Sequence, residues 1–94
     1  MTARALRSTR RTVALDSLDE YLDAWSAVRT EVEAAGGHAW LFRGALREDH
    51  FLEFIEWKPL ADAEPLTERP SLAEMLAALD ADFGHGQAEE WVQG

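Results

Sequence analysis

The sequence predicts an α+β domain in which two helices cover one face of a four-stranded antiparallel sheet, in the chain order β-α-β-β-α-β. Three observations predict it: two segments carry apolar residues at helical spacing, β-prone runs flank each of them, and a short polar turn separates the two central runs. A chain of 94 residues has the length of one domain. We therefore expect residues 1–94 to form a single domain, with residues 1–8 as a flexible basic N-terminus.

The first strand and the first helix occupy the N-terminal third of the chain. The β-prone run "TRRTVAL", residues 9–15, is the predicted first strand. Ser17 and Glu20 have the spacing of a capping box, and Gly36 and Gly37 stand where the helix should end. The apolar residues between them recur at three and four and predict an amphipathic helix: Leu18, Leu22, Trp25, Val28 and Val32.

The runs "HAWLFRGAL" and "HFLEFIEWK" are separated by a polar turn centred on residues 48–49 and predict a β-hairpin. With a two-residue turn, Phe42 lies opposite Ile55 and Gly44 lies opposite Glu53. One face of the hairpin then collects the large apolar residues that we expect beneath the helices: Trp40, Phe42, Leu46, Phe51, Ile55 and Trp57.

The run "HFLEFIEWK" carries large apolar residues on both of its faces. Two helices cover only one face of a four-stranded sheet, so the other face would leave apolar side chains in water. A second copy of the chain, related by a two-fold axis, is the simplest cover. We therefore expect a homodimer whose sheet-to-sheet interface includes five residues: Leu41, Arg43, Leu52, Phe54 and Glu56.

The C-terminal third predicts a loop, a second helix and a last strand. All three prolines fall within residues 59–70, which suits a loop. Ser71 and Glu74 form a second capping box, and Gly84 and Gly86 stop the helix. Its apolar stripe is Leu72, Met75, Leu76, Leu79 and Phe83. The closing "QAEEWVQG" completes the ferredoxin-like order of elements.

The composition argues against several classes of function. The net charge is −9, which repels phosphate, so we expect neither a nucleic-acid partner nor an anionic membrane surface. No apolar run approaches the roughly 18 residues of a membrane span, and we expect a cytoplasmic protein. There is no cysteine, and His38, His50 and His85 lack metal-site spacing, so neither a metal nor a cofactor is predicted.

Two residues are candidates for moving a proton. Glu53 shares a face with aromatic residues, and a buried carboxylate in such a place can accept or donate a proton. The alternative is a structural hydrogen bond near a helix end. His85 lies between Gly84 and Gly86, where it could line the mouth of a pocket or remain an exposed loop residue.

A ligand pocket is expected between the sheet and the helices, lined by Tyr21, Trp25, Trp40, Phe42 and Trp57. The alternative for these aromatic residues is ordinary core and interface packing. Arg43 and Glu56 fall on one face of the predicted hairpin. They are expected to form an ion pair near the interface, or else a polar anchor for a ligand.

The order of elements, the chain length, and Trp57 at the end of the third strand beside Glu56 resemble the dimeric α+β barrel superfamily, in particular its antibiotic-biosynthesis-monooxygenase domain. The resemblance implies a homodimer with a pocket in each subunit. Some members of that family oxidise polycyclic phenols without a cofactor, by letting an activated substrate react directly with oxygen. A haem-degrading branch uses an Asn, a Trp and a His, and this sequence contains no asparagine.

Two functions follow from these expectations. One is a cofactor-independent monooxygenase acting on an aromatic or phenolic small molecule, in which Glu53 or His85 takes the proton. The other is a non-catalytic module of the same fold that binds a small hydrophobic ligand or serves assembly.

Overall fold

The computed structural model describes residues 3–59 and 65–94 of the chain; residues 60–64 of the predicted loop lie outside that description, as do residues 1–2. The strands and helices follow the predicted order: β1 Ala5–Thr12, α1 Leu18–Ala34, β2 His38–Arg43, β3 His50–Trp57, α2 Pro70–Phe83 and β4 Gln87–Val92. Neighbouring strands run antiparallel in the sheet order β2-β3-β1-β4. The predicted ferredoxin-like fold is confirmed.

Both helices bury an apolar stripe against the sheet, with one exchange in α1. Tyr21 lies fully in the core, whereas the predicted Leu22 is exposed. The helix ends as predicted, because Gly36 adopts a positive φ of 86° that a side chain would disfavour. Within the described residues, neither helix has the length and apolar character needed to cross a membrane.

Neither predicted capping box forms. Ser17 does precede α1, but its side chain makes no cap hydrogen bond. Ser71 instead donates from Oγ to Glu31 Oε1 on α1 at 2.7 Å, so it ties the two helices together. The start of α2 falls at Pro70, which suits a first helical turn because proline has no N–H to leave unpaired there.

The first strand begins at Ala5, earlier than predicted, so residues 5–8, half of the segment expected to be a flexible N-terminus, lie in the sheet. Ala5 pairs with Trp57 of β3 on one side and with Val92 of β4 on the other. The strand pairs with a neighbour on each side in the sheet, although most of its residues are polar or basic. Its residues alternate faces, so the arginines are divided between them.

The predicted hairpin turn is wrong, because the connection spans residues 44–49. Ala39, rather than Phe42, lies opposite Ile55. The register therefore differs by three positions, and an odd shift reverses the face of every β2 side chain. Gly44 begins the loop: a Cβ there would lie only 2.6 Å from the carbonyl oxygen of Arg47, so the turn needs a glycine.

The reversal corrects four side-chain placements. Trp40 and Phe42, predicted beneath the helices, lie on the opposite face of the sheet. Leu41 and Arg43, predicted at the interface, lie on the helix side, and Leu41 is opposite Glu53. The faces of β3 are as predicted; the residues that point away from the helices are Leu52, Phe54 and Glu56.

The core fills the space between the helices and the sheet, and the other side of the sheet is left to solvent. We call that side the open face. Its apolar side chains are Leu6, Trp40, Phe42, Leu52, Phe54 and Trp91. Phe42 is 57% exposed, and its ring meets that of Phe54 edge-on with centroids 5.6 Å apart.

Candidate functional site

A buried ionic cluster lies between the sheet and the helices near the end of β1. Arg11 donates from Nε to Glu53 Oε2 at 2.9 Å and from Nη2 to Glu53 Oε1 at 3.3 Å. Tyr21 on α1 donates its hydroxyl hydrogen to Glu53 Oε2 at 2.5 Å. The side chains of Arg11 and Glu53 are only 2% and 3% exposed. The Glu53 carboxylate is therefore enclosed and engaged on both of its oxygens.

Asp80 on α2 extends the cluster toward solvent. Its Oδ1 accepts from Arg11 Nη1 at 2.8 Å and from the backbone N–H of Gly86 at 3.1 Å. Arg11 Nη1 also donates to the carbonyl of Gly84. His85 Nδ1 lies 3.5 Å from Asp80 Oδ2. Glycine at position 86 permits this packing, because a Cβ there would lie 3.0 Å from Arg11 Nη2.

Burial and charge shift the pKa of three groups in the cluster. Burial, assisted by the charge of Glu53, raises the pKa of Tyr21 well above 10.0. Burial alone would lower the pKa of Arg11, but the hydrogen bonds and charges of Glu53 and Asp80 outweigh it and raise that pKa. Burial would raise the pKa of Asp80, yet the Gly86 N–H and Arg11 bring it down. At neutral pH, therefore, Tyr21 is protonated and Asp80 is ionised.

A cleft of about 630 Å³ opens beside this cluster, where β1 and β2 end and β3 and β4 begin. The turn after α2 reaches the same place. The apolar walls of the cleft are Phe42, Phe51 and Leu52. Its basic lining consists of Arg10, Arg11, Arg43, His50 and His85. The cleft therefore combines flat apolar surfaces with positively charged groups.

Solved structures match nearly the whole chain, although no protein-family model and no curated protein matches the sequence. A conserved protein from Methanosarcina mazei Go1 superposes with a TM-score of 0.81 at 9% identity, covering 99% of this chain and 95% of that one. SnoaB, a cofactor-independent oxygenase from Streptomyces nogalater, superposes with a TM-score of 0.72 at 14% identity, covering 97% and 91%. An antibiotic biosynthesis monooxygenase superposes with a TM-score of 0.68 at 14% identity, and the match covers 96% of each chain.

The chain has the fold of the antibiotic biosynthesis monooxygenases. This agrees with the resemblance drawn from the order of elements and from Trp57. At identities of 9–14% the likeness is one of fold. The chemistry of this chain has to come from its own residues.

The two predicted proton carriers take different places in this fold. His85 lines the cleft and is 85% exposed. Glu53 is enclosed behind Arg11 and does not line the cleft. In the described part of the chain, Glu53 and His85 are connected indirectly, through Arg11 and Asp80. Of the pair, His85 is the one that a ligand in the cleft would meet.

The five predicted pocket aromatics do not come together. Tyr21 belongs to the ionic cluster, and Trp25 and Trp57 lie in the core. Trp40 lies on the open face, stacked on His38 with ring centroids 6.0 Å apart. Phe42 lines the cleft. The sheet register separates these residues, since it turns Trp40 and Phe42 away from the helices.

The predicted ion pair between Arg43 and Glu56 does not form, because the two residues lie on opposite faces of the sheet. Glu56 pairs with Arg4 instead. Arg43 lies over the ring of Phe51, 5.6 Å from its centroid, and donates from Nε to the carbonyl oxygen of Glu48 at 2.7 Å. Arg43 is thereby held at the cleft.

Arg10, Arg11 and Asp80 were missed by the sequence analysis. A signal for Arg11 was present, because Val13, two positions later, must face the core, and residues at a spacing of two share a face. Asp80 had no comparable signal, since it lies beside the apolar stripe of α2. In the described ranges, no three His, Asp or Glu side chains converge as metal ligands.

Proposed function

We propose that the protein is a homodimer that binds a planar phenolic molecule in the cleft and oxidises it with molecular oxygen, without a cofactor. The observation that carries the proposal is one cleft lined by the exposed ring of Phe42, by Leu52 and by the cations Arg10 and Arg43. A phenol reacts with oxygen far more readily once it is ionised, and nearby cations favour the phenolate. His85, at the same cleft, accepts the proton.

The reaction balances with oxygen as the sole oxidant. The phenol hydroxyl gives its proton to the imidazole of His85, and Asp80, 3.5 Å from Nδ1, stabilises the imidazolium. The ring carbon opposite the phenolate then bonds to one oxygen atom and loses its hydrogen. The second oxygen atom leaves as water, so that anthrone, for example, gives anthraquinone and water. The protein binds, orients and deprotonates the substrate.

The open face supports the homodimer. It presents Trp40, Phe42 and Phe54 on one continuous surface, and monomeric proteins rarely leave such a surface uncovered. A second copy related by a two-fold axis would cover both open faces at once. Phe42 and Leu52 belong to the open face and also line the cleft. The partner subunit would therefore form part of the boundary of each cleft.

One observation favours the second candidate, a non-catalytic module that binds a small hydrophobic ligand or serves assembly. Glu53, a predicted proton carrier, is engaged on both oxygens by Arg11 and Tyr21 and is sealed from the cleft. Its role is therefore to hold the strands and α1 together. A cleft whose candidate bases are His50 and His85 is also compatible with binding alone.

Anthrone, whose enol form is a polycyclic phenol, distinguishes the two candidates. Binding is measured by calorimetry, and turnover by oxygen uptake and anthraquinone formation. The wild type should consume one oxygen molecule per anthrone, and His85→Gln should bind anthrone but turn it over roughly a hundredfold more slowly. Arg29→Gln, on the exposed side of α1, serves as the control and should match the wild type.

Each outcome has a distinct meaning. Binding without oxygen uptake would favour the ligand-binding module. Turnover that survives His85→Gln would remove the histidine from the mechanism. Neither binding nor uptake by the wild type would overturn the oxygenase proposal and leave assembly as the better account.

A further inference from the structure

The cleft is electrically unlike the rest of the chain. The net charge is −9, yet the cleft is lined by three arginines and two histidines, with no Asp or Glu among its lining residues. The charge of Arg11 is already matched by Glu53 and Asp80. Arg10 and Arg43 form no ion pair with any carboxylate in the described part of the chain. Two uncompensated positive charges therefore remain beside the aromatic walls.

Two contacts hold the Arg43 side chain in place at the cleft. Its Nε is occupied by the carbonyl oxygen of Glu48, and its guanidinium lies over the ring of Phe51. These contacts fix the side chain and leave the two Nη groups without a protein partner among the described residues. A guanidinium edge with two parallel N–H groups matches a carboxylate in a bidentate pair. Little side-chain entropy remains to be lost when the anion binds.

We infer that the ligand of this cleft is an aromatic carboxylic acid, with its ring against Phe42 and Leu52 and its carboxylate paired with Arg43, while Arg10 adds a second positive charge at the cleft. The inference rests on the proposed function in that it names the substrate class of the same cleft: a phenol that also bears a carboxylate. A neutral phenol would fill the apolar walls and leave both arginines unpaired. The net negative charge of the chain disfavours anions elsewhere, whereas the uncompensated arginines of the cleft favour them there.

Hydroxynaphthoate and hydroxynaphthamide test the inference, because the two share ring, hydroxyl and size and differ in one charge. Calorimetry at low salt should show the acid binding at least roughly tenfold tighter than the amide, because charge-assisted hydrogen bonds are stronger than neutral ones. A higher salt concentration should reduce the difference in affinity between the acid and the amide. The Arg43→Gln variant should bind the acid no more tightly than the amide, and its affinity for the amide should equal that of the wild type. Arg29→Gln, which alters an exposed pair on α1, should leave the preference intact.

Arg10→Gln changes an exposed residue and provides a second test if the Arg43→Gln variant does not fold. It should reduce the preference for the acid over the amide. Equal affinity of the wild type for acid and amide would overturn the inference, as would a preference that survives both substitutions. Oxygen uptake separates this result from the proposed function. An acid that binds through Arg43 and consumes no oxygen would sustain the inference and contradict the oxygenase.

Discussion

Arg11 on β1 and Glu53 on β3 form an ion pair that is almost completely removed from water, with Nε and Oε2 2.9 Å apart. Glu53 lies opposite Thr9, so Arg11 reaches it diagonally across the two strands. Tyr21 donates a second hydrogen bond to Oε2, Arg11 Nη2 donates to Oε1, and Asp80 accepts from Arg11 Nη1. Such a pair adds little net stability over apolar packing, but the loss of one member leaves a buried charge without its partner.

Glu53→Gln should lower the free energy of unfolding by about 3 kcal/mol, because Arg11 would stay buried without a counter-charge on that side. Urea unfolding followed by circular dichroism measures the difference. The matched control is Glu33→Gln, which breaks the exposed i, i+4 pair with Arg29 and should cost less than about 1 kcal/mol. Similar losses for the two variants would show that Arg11 finds adequate solvation without Glu53.

Tyr21 should remain protonated until the chain unfolds in alkali. Burial and the charge of Glu53 raise its pKa above the ordinary 10.0, so its contribution to stability is complete below pH 10.0 and is lost as the pH rises further. Tyr21 is the one tyrosine in the sequence, so tyrosinate absorbance reports on it alone. The absorbance should rise together with unfolding, and in concentrated guanidinium it should rise near pH 10.0. A rise that precedes unfolding would contradict the enclosed hydroxyl.

Tyr21→Phe provides the complementary test. It keeps the ring contacts with Phe51 and Phe83, whose centroids lie 5.0 and 5.4 Å from that of Tyr21, and removes the hydrogen bond to Glu53. At neutral pH we expect a loss of about 2 kcal/mol, the usual range for a hydrogen bond to a charged group. The alkaline loss of stability assigned to the hydroxyl should disappear. A variant that keeps it would place that titration elsewhere.

Asp80→Asn should destabilise the protein at neutral pH, and the difference from the wild type should fade in acid. The Gly86 N–H and Arg11 lower the pKa of Asp80 despite partial burial, which acts the other way. Stability from Asp80 is therefore present above the ordinary pKa of 3.8 and is lost as the pH falls through the lower folded value. Thermal unfolding midpoints across acid pH measure this. Asp82→Asn, an exposed change on the same helix, should alter the midpoint little.

Phe54→Asp should dissociate the proposed homodimer, because it places an unpaired charge in the centre of the open face. Sedimentation at micromolar concentration should give twice the 10.5 kDa chain mass for the wild type and a smaller species for the variant. The control is Leu46→Asp, because Leu46 lies in the β2–β3 loop outside the strands of the sheet and is 98% exposed. A wild type that sediments at 10.5 kDa would refute the dimer.

The order of the elements and the extents of the helices were predictable from the sequence. Helical periodicity is a local signal, and the segments containing Trp25 and Leu76 each repeat it over several turns. The faces of β3 were predictable too, because alternation along one strand needs no knowledge of its partner. The full length of β1 was not predictable, because its residues are mostly polar and show no alternation of apolar and polar side chains.

What the tertiary structure decided was how these elements meet. The β2–β3 register depends on the loop of residues 44–49 and on the packing of Ala39 beneath the helices, and neither is readable from alternation. The pair of Arg11 with Glu53 joins residues 42 positions apart, and a charged residue in a strand looks the same in sequence whether it faces water or the core. The cleft forms from the ends of four strands. The sequence by itself determined the elements, and long-range packing determined which side chains share a site, because side-chain periodicity is local while register and burial are set by distant partners.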